Sequence, residues 1–317
     1  MGIKHTYQSA TANNAGSEVS STRWNADHTI DGPVDVAITA AATSITAPAS
    51  TNATLFARSY GGRGMFGAQE TGGSGFLFQP LLKGNSIYWV PQNNGSTATV
   101  LGSAAITATG TAGSVNNATT NRYTRLKRMS YSVTTAATTA VAGFRNSNAV
   151  VTIGAATAGD GGFFYLLRWG PDTGVATTTN RAFAGLQAST SAPTDVEPST
   201  IANIIGMGWD AADTNVQFMN RSATTLTKTD LGASFPVPTV DATTAYEIVM
   251  FSPPGTTQSV SYQITNLTTG AVATGTVTTN LPSTTTLLLP SCWMSVGGTS
   301  SVIGVTLMGM YLEQGGP

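Results

Sequence analysis

The sequence predicts an all-β protein: a short-strand N-terminal attachment region followed by a C-terminal antiparallel β-sandwich or jelly roll. Three observations point there. Short runs of β-branched and aromatic residues recur along the chain and are separated by Gly, Pro and Asn turn signals. Threonine is abundant, and β-branched residues pack well on pleated surfaces. No stretch carries a long helical period, and runs such as Thr177 to Thr179 and Thr284 to Thr286 would make poor helix.

Residues 1–34 read as a polar anchoring arm. It has one denser patch, Arg23, Trp24, Asn25, Ala26, Asp27, His28, Thr29 and Ile30. A Trp in a polar arm suits an anchor that docks into a partner, or one that packs back on its own domain. Residues 35–118 read as a β-rich attachment or stalk region. Leu55 to Tyr60 is a strand, punctuated by Gly61, Gly62 and Gly64. Phe76 to Phe78 follows a Gly-rich turn, and Ser86 to Val90 is stopped by Pro91. Asn94-Gly95 marks a tight turn. Gly102 to Thr120 has little to bury and reads as a loop or weakly held edge.

Residues 119–317 read as a lectin-like sandwich. Strands are expected at Tyr123 to Val133, at Phe163 to Trp169 (apolar enough for burial on both faces) and at Ile201 to Trp209. Thr214 to Asn220 and Thr225 to Leu231 pair around Arg221 to Ala223. Tyr246 to Phe251 ends before Pro253 and Pro254. In Ser259 to Ile264, Val260, Tyr262 and Ile264 point inward. Gly270 turns this strand into Ala271 to Val277. Ser301 to Leu312 carries Ile303, Val305, Leu307 and Tyr311 on one side.

Charged residues make up 9% of the 317 residues, against a usual ~25%, and the net charge is -1. So weakly charged a surface suits a lone soluble molecule badly, and much of it is expected to be covered by other copies. Without a basic excess, the chain is not expected to bind nucleic acid or anionic membrane. No apolar run approaches the ~18 residues of a membrane span. Met1 to Val19 lacks the apolar core of a signal peptide, so folding in the cytoplasm and release by another route, such as lysis, are expected.

Candidate chemistry is sparse. The histidines are His5 and His28, both in the arm, so the body lacks a Ser-His-Asp or Cys-His device and a histidine zinc site. The single cysteine, Cys292, excludes an intramolecular disulfide and reads as a small core residue. No metal site and no cofactor are expected. Trp209, Asp210, Asp213 and Asn215 form the one aromatic and acidic cluster. It reads as an ordinary turn held by side-chain-to-backbone bonds or as a saccharide contact with Trp209 stacking on a sugar ring. Paired carboxylates that cut glycans are the remaining reading, with Asp160, Asp172, Asp195 and Glu197 as further acids. Arg122, Arg125, Lys127 and Arg128 form a basic run on a strand, either a solvated edge-protecting face or a contact for phosphates or neighbouring acids. Gly206-Met207-Gly208 and Gly159 to Gly162 lack the strand-to-helix setting of a phosphate loop and read as turns.

Taken in order, several stretches resemble virion proteins of tailed bacteriophages and prophages. They are Ser20 to Ile30; Leu55-Phe56-Ala57-Arg58; Gly61-Gly62-Arg63-Gly64-Met65; Gln79-Pro80-Leu81-Leu82; and Tyr88-Trp89-Val90-Pro91. In the second half they are Gly161-Gly162-Phe163-Phe164; Val216-Gln217-Phe218-Met219; Asp230 to Pro236; Tyr246-Glu247; Pro253-Pro254; and Tyr311-Leu312-Glu313. Head spikes of gene transfer agents are similar objects. The resemblance implies a C-terminal concanavalin-like sandwich, a symmetric homo-oligomer (trimer or pentamer) and a place on the head or tail of a particle. It supplies no catalytic residues.

The expectation is therefore a non-enzymatic virion spike or fibre subunit. Arg23, Trp24, Asn25, Asp27 and His28 would anchor it to a capsid, portal or tail protein, and the sandwich would meet host-surface polysaccharide. The alternatives are a purely architectural decoration or baseplate protein and a glycan depolymerase.

Overall fold

The computed structural model describes residues 54–69, 75–77, 86–89, 106–155, 161–253 and 258–314, all within one compact unit, Ala40–Pro317. The predicted anchoring residues Arg23, Trp24, Asn25, Asp27 and His28, and the Asn94-Gly95 turn, lie outside the described residues.

In chain order the elements are β1 (Thr54–Tyr60), β2 (Arg63–Gln69), β3 (Gly75–Leu77), β4 (Ser86–Trp89), β5 (Ile106–Thr109) and β6 (Thr111–Val115). A single helical turn, α1 (Arg122–Arg125), precedes β7 (Arg128–Ala137), β8 (Val141–Asn146), β9 (Phe163–Thr173) and β10 (Arg181–Gln187). Then come β11 (Ile204–Trp209), β12 (Gln217–Arg221), β13 (Leu226–Asp230), β14 (Tyr246–Ser252), β15 (Val260–Asn266), β16 (Val272–Val277), β17 (Leu289–Ser295) and β18 (Ser301–Gln314).

The strands build two antiparallel sheets packed face to face. One runs β13-β12-β11-β10-β17-β8-β5. The other runs β16-β15-β14-β9-β18-β7-β6, with β4 paired to β18. A separate three-stranded sheet, β1-β2-β3, completes the fold. β5 and β6 are the edge strands of opposite sheets, joined by Gly110 alone at φ 82, a left-handed value that suits glycine. The expected weakly held edge is therefore an edge pair. Among the described residues before position 119, β4, β5 and β6 hydrogen-bond into the two large sheets.

Between the sheets lies one apolar core. Rings from facing sheets meet in it. Trp169 of β9 stacks on Trp209 of β11 at 6.0 Å, and Phe218 of β12 stacks on Tyr262 of β15 at 3.8 Å. Truncating any of these rings to Ala would cost about 3–5 kcal/mol. β15 shows the predicted alternation, with Val260, Tyr262 and Ile264 inward. β9 is covered on both faces: Phe163, Tyr165, Leu167 and Trp169 face the main core, while Phe164 faces a smaller cluster beneath β1 and β2. Cys292 lies in the main core, where burial pushes its thiol pKa up.

Three expectations about local structure are corrected. Against β9, the register of β18 shifts between Leu307 and Gly309. Ile303, Val305 and Leu307 line the main core, but the bulge re-aims the rest of the strand: Met310 and Leu312 point inward and Tyr311 points to the opposite face. The strand expected from Tyr123 begins at Arg128 instead. Asn121 caps α1 by accepting from the Thr124 amide at 2.8 Å, and its own amide donates to the Thr124 hydroxyl at 3.1 Å, a capping box. The basic run is thereby split. Arg122, Arg125 and Lys127 are not buried, while Arg128 is, its guanidinium 5.2 Å from the Tyr123 ring and donating to the Thr124 carbonyl at 2.9 Å. Finally, Gly206 and Gly208 sit inside β11 rather than in a turn. A Cβ on Gly206 would lie 2.4 Å from the Ala184 carbonyl oxygen and 2.7 Å from the Gly185 Cα, so glycine is what lets β10 and β11 approach so closely.

Candidate functional site

Two places gather polar side chains. The first is the β11–β12 turn, where the sequence placed Trp209, Asp210, Asp213 and Asn215. The inner face of β11 carries Ile205, Met207 and Trp209 in strict alternation, so Trp209 is a core residue. Its indole N–H donates to Asn180 Oδ1 at 2.7 Å and its ring is fully buried. A buried ring has no face to offer a sugar, and the stacking role expected of Trp209 is corrected on that ground.

The acids after Trp209 build a turn. The Asp210 amide donates to Asp213 Oδ2 at 2.8 Å, and the Asp213 amide donates to the Asp210 carbonyl at 3.1 Å. From the edge strand β13, the Lys228 ammonium reaches Asp210 at 2.8 Å and Asp213 at 2.6 Å. Burial works against the Asp210 charge, but Lys228 and Ser199 outweigh it and hold the carboxyl below the usual carboxylate range. Desolvation works against the Lys228 charge in turn, and the same bonds hold its ammonium above the usual range. An Asp held ionised this way cannot supply a proton at neutral pH, which is what a general acid must do.

Beside this turn the Asn215 amide donates to both Asp230 oxygens at 3.1 and 3.2 Å on the protein surface. The Gly232 amide, with Asn215 second, draws the Asp230 pKa down. This leaves a surface amide–carboxylate pair in which Asp230 is exposed and Asn215 half-buried. Residues 188–203 are strapped over the outer face of the seven-stranded sheet by the same chemistry. Thr190 O accepts from Arg145 at 2.8 Å, Asp195 pairs with Arg181 at 3.2 Å, and Ser199 O accepts from Arg221 at 2.6 Å. The acids Asp195 and Glu197 thus serve this strap: Glu197 accepts from the Ala211 amide at 2.9 Å, and Asp195 from the Gly297 amide at 2.9 Å. Asp172 accepts from Ser130 at 2.5 Å and from Tyr123 at 3.3 Å, next to α1. Asp160 lies outside the described residues. Among the described residues no group of three or more His, Cys, Asp or Glu is placed to hold a metal ion, and no helix is long and apolar enough to cross a membrane.

The second place is a joint that sequence reasoning did not single out as a site. The β1–β2 hairpin lies on the outer face of the eight-stranded sheet, where Met65 packs with Phe164, Val249 and Tyr311. Around this apolar patch, Arg63 forms a two-pronged bond to Glu313 at 2.8 and 3.1 Å, and Arg168 pairs with Glu247 at 2.6 Å. The Tyr60 hydroxyl also donates to Glu247. The Arg63 guanidinium sits 5.2 Å from the Phe164 ring centroid, close enough for a cation–π contact. Burial, and then the Glu247 charge, push the Tyr60 phenol well above its usual range, so it stays a neutral donor. The signal for this joint was present in the sequence as Gly61 to Met65, Phe163-Phe164, Tyr246-Glu247 and Tyr311-Leu312-Glu313, four stretches far apart along the chain that the fold brings to one spot.

No family model matches the chain, and no curated protein matches it. Among solved structures it is similar to peanut lectin with a nine-residue peptide, at 12% identity over 72% of this chain and 97% of that one, with a TM-score of 0.46. It is similar to a carbohydrate esterase from the Shiga toxin-encoding bacteriophage phi24B, at 15% identity over 67% and 90%, with a TM-score of 0.38. A third is the CBM2 module of an evolved Dit from Lactobacillus casei BL23 phage J-1, at 12% identity over 54% and 68%, with a TM-score of 0.33. The solved structures similar to this β-sandwich thus include a lectin and proteins of phage origin.

Proposed function

We propose that the chain is a structural subunit of a phage or phage-like particle, a spike or fibre protein that meets host-surface saccharide and performs no catalysis. The observation that carries the reading is the joint of Arg63, Glu313, Arg168, Glu247 and Tyr60. Its residues lie largely in the stretches through which the sequence resembles phage virion proteins, and they have one shared job, fixing the N-terminal hairpin to the sandwich. A subunit anchored at its N-terminal side needs that connection to be stiff. For saccharide contact, the surface Asn215–Asp230 pair, with Asp230 exposed, replaces Trp209 as the candidate, since a carboxylate and an amide can exchange hydrogen bonds with hydroxyl groups. Binding there would be weak per site and strengthened when an oligomer presents several copies.

The architectural alternative is favoured by one observation: Asp195, Glu197, Asp210 and Asp213 are all engaged inside the protein. Passing the full chain over a panel of immobilised lipopolysaccharides and capsular polysaccharides separates the two readings. Retention that free polysaccharide competes away, and that Asn215→Ala with Asp230→Ala reduces at least about tenfold, supports attachment. No retention on any surface, with the protein folded, leaves the architectural role. Release of oligosaccharide during the incubation would overturn the non-enzymatic reading.

A further inference from the structure

Four strands end the two large sheets: β13 and β5 in one, β16 and β6 in the other. β5 and β6 adjoin through Gly110. β13 carries Lys228 and Asp230, charges that deter edge-to-edge pairing. β16 has no such protection. Its sequence, VATGTV, holds no charge and no proline, and its register with β15 is unbroken over six pairs.

The hydrogen-bond phase of this edge is set by the turn before it. The Asn266 amide donates to the Ala271 carbonyl at 2.9 Å and its carbonyl accepts from the Gly270 amide at 2.7 Å, so the backbone of Asn266 is turned toward this edge. In an antiparallel ladder the side to which a residue turns its amide and carbonyl alternates along the strand. Ala273, Gly275 and Val277 therefore direct their amides and carbonyls to β15, and Val272, Thr274 and Thr276 direct theirs away from the sheet. The side chains of those same three residues are exposed, Val272 at 55%, whereas Ala273 and Val277 pack on the core. Among the described residues no strand pairs with this outward edge.

We propose that β16 pairs with β16 of a second copy of this chain, antiparallel, about a two-fold axis at Thr274. The edge is complementary to itself. Its three outward residues are symmetric about the middle one, so Thr274 faces Thr274 of the second copy, and Val272 and Thr276 face each other twice. The pairing makes about six backbone hydrogen bonds, sets β-branched side chains opposite one another on the exposed face and juxtaposes no like charges. A charged partner strand would find no countercharge here, which is why the occupant is a second copy. The two eight-stranded sheets then run on as one. Because the contact is two-fold, it builds dimers or links rings in pairs, and does not by itself close a ring of three or five. The inference does not depend on the particle or saccharide reading, because its test involves neither.

The test is the mass of the full chain by light scattering and sedimentation at micromolar concentration. The wild type is expected at twice the 32.4 kDa chain mass or at an even multiple of it. Thr274→Lys sets two ammonium groups directly opposite across the axis. Thr274→Pro removes two of the amide donors. Each should weaken this association about 100-fold, halving the mass while the far-ultraviolet β spectrum stays unchanged. Should the proline variant fail to fold, the lysine, placed on an exposed side chain, carries the test alone. Thr274→Cys should form an interchain disulfide on mild oxidation, with the buried Cys292 inert. A monomeric wild type at about 100 µM, a concentration at which even a weak dimer forms, would overturn the proposal. So would an oligomer whose mass neither Thr274→Lys nor Thr274→Pro changes.

Discussion

Removing the Arg63–Glu313 bond should loosen the N-terminal hairpin from the sandwich. The two groups share two charge-assisted hydrogen bonds at 2.8 and 3.1 Å, with side chains 25% and 12% exposed. Each such bond is worth about 1.5–3 kcal/mol when buried. Partial exposure of Arg63 discounts this toward surface values, which leaves a coupling of about 2 kcal/mol. Arg63→Met removes the guanidinium that lies near the Phe164 and Phe251 rings, keeps an unbranched side chain there, and leaves the Glu313 carboxylate with the Tyr311 hydroxyl at 3.1 Å as a donor. Its single-variant cost should therefore exceed the coupling, at about 3 kcal/mol. A double-mutant cycle of Arg63→Met and Glu313→Gln, read by urea unfolding, isolates the pair. In Arg63→Met, trypsin cleavage at Arg58 reads the hairpin alone and should accelerate about 100-fold if opening is local. A coupling below about 0.5 kcal/mol, typical of exposed ion pairs, together with unchanged cleavage, would refute the idea that this joint fixes the hairpin.

The Asp210 clamp and the β10–β11 contact give two more expected outcomes. The depressed Asp210 pKa contributes stability that is present above the unfolded-state value of about 3.9 and lost as pH falls through the lower folded value. Asp210→Asn should therefore lower the thermal midpoint at pH 7 and flatten the acid limb below about pH 4; parallel acid limbs for the two proteins would count against the Lys228 clamp. Gly206→Ala should cost about 2–3 kcal/mol in urea unfolding, because its Cβ would meet backbone atoms of β10 that cannot turn aside; an unchanged urea midpoint would show that the strands can separate there without penalty.

The elements legible in the sequence were those where side-chain period and turn chemistry agreed. Val260, Tyr262 and Ile264 marked the inward face of β15, and the residues around Arg221 to Ala223 marked the β12–β13 hairpin. The illegible elements have a common cause. β10, β17 and β8 are adjacent interior strands of the seven-stranded sheet, yet they carry Gly143, Gly185, Ser291 and Ser295 along their lengths. Small residues there permit close strand approach and blank out the alternation by which a strand is recognised. Trp209 was misplaced although the sequence held the clue: Gly206 and Gly208 interleave with Ile205, Met207 and Trp209, which puts the Trp on the apolar side. The face of Tyr311 is not legible, because nothing in the residues around Met308 announces the bulge that the register with β9 contains. The joint at Glu247 and Glu313 was written in fragments that only long-range pairing could assemble.

The position of β18 has a consequence for how the chain acquires its shape. This 14-residue strand lies between β9 and β7 and also pairs with β4, all of which precede it by well over a hundred residues. A nascent chain that has been translated as far as residue 300 owns nearly every strand of the eight-stranded sheet, but with a gap at its centre. Until β18 arrives, β9 and β7 each present an open, apolar flank, the kind of intermediate that invites association with the wrong neighbour. Closure of the eight-stranded sheet should therefore wait for β18, and be abrupt and sensitive to crowding of unfinished chains on the same message.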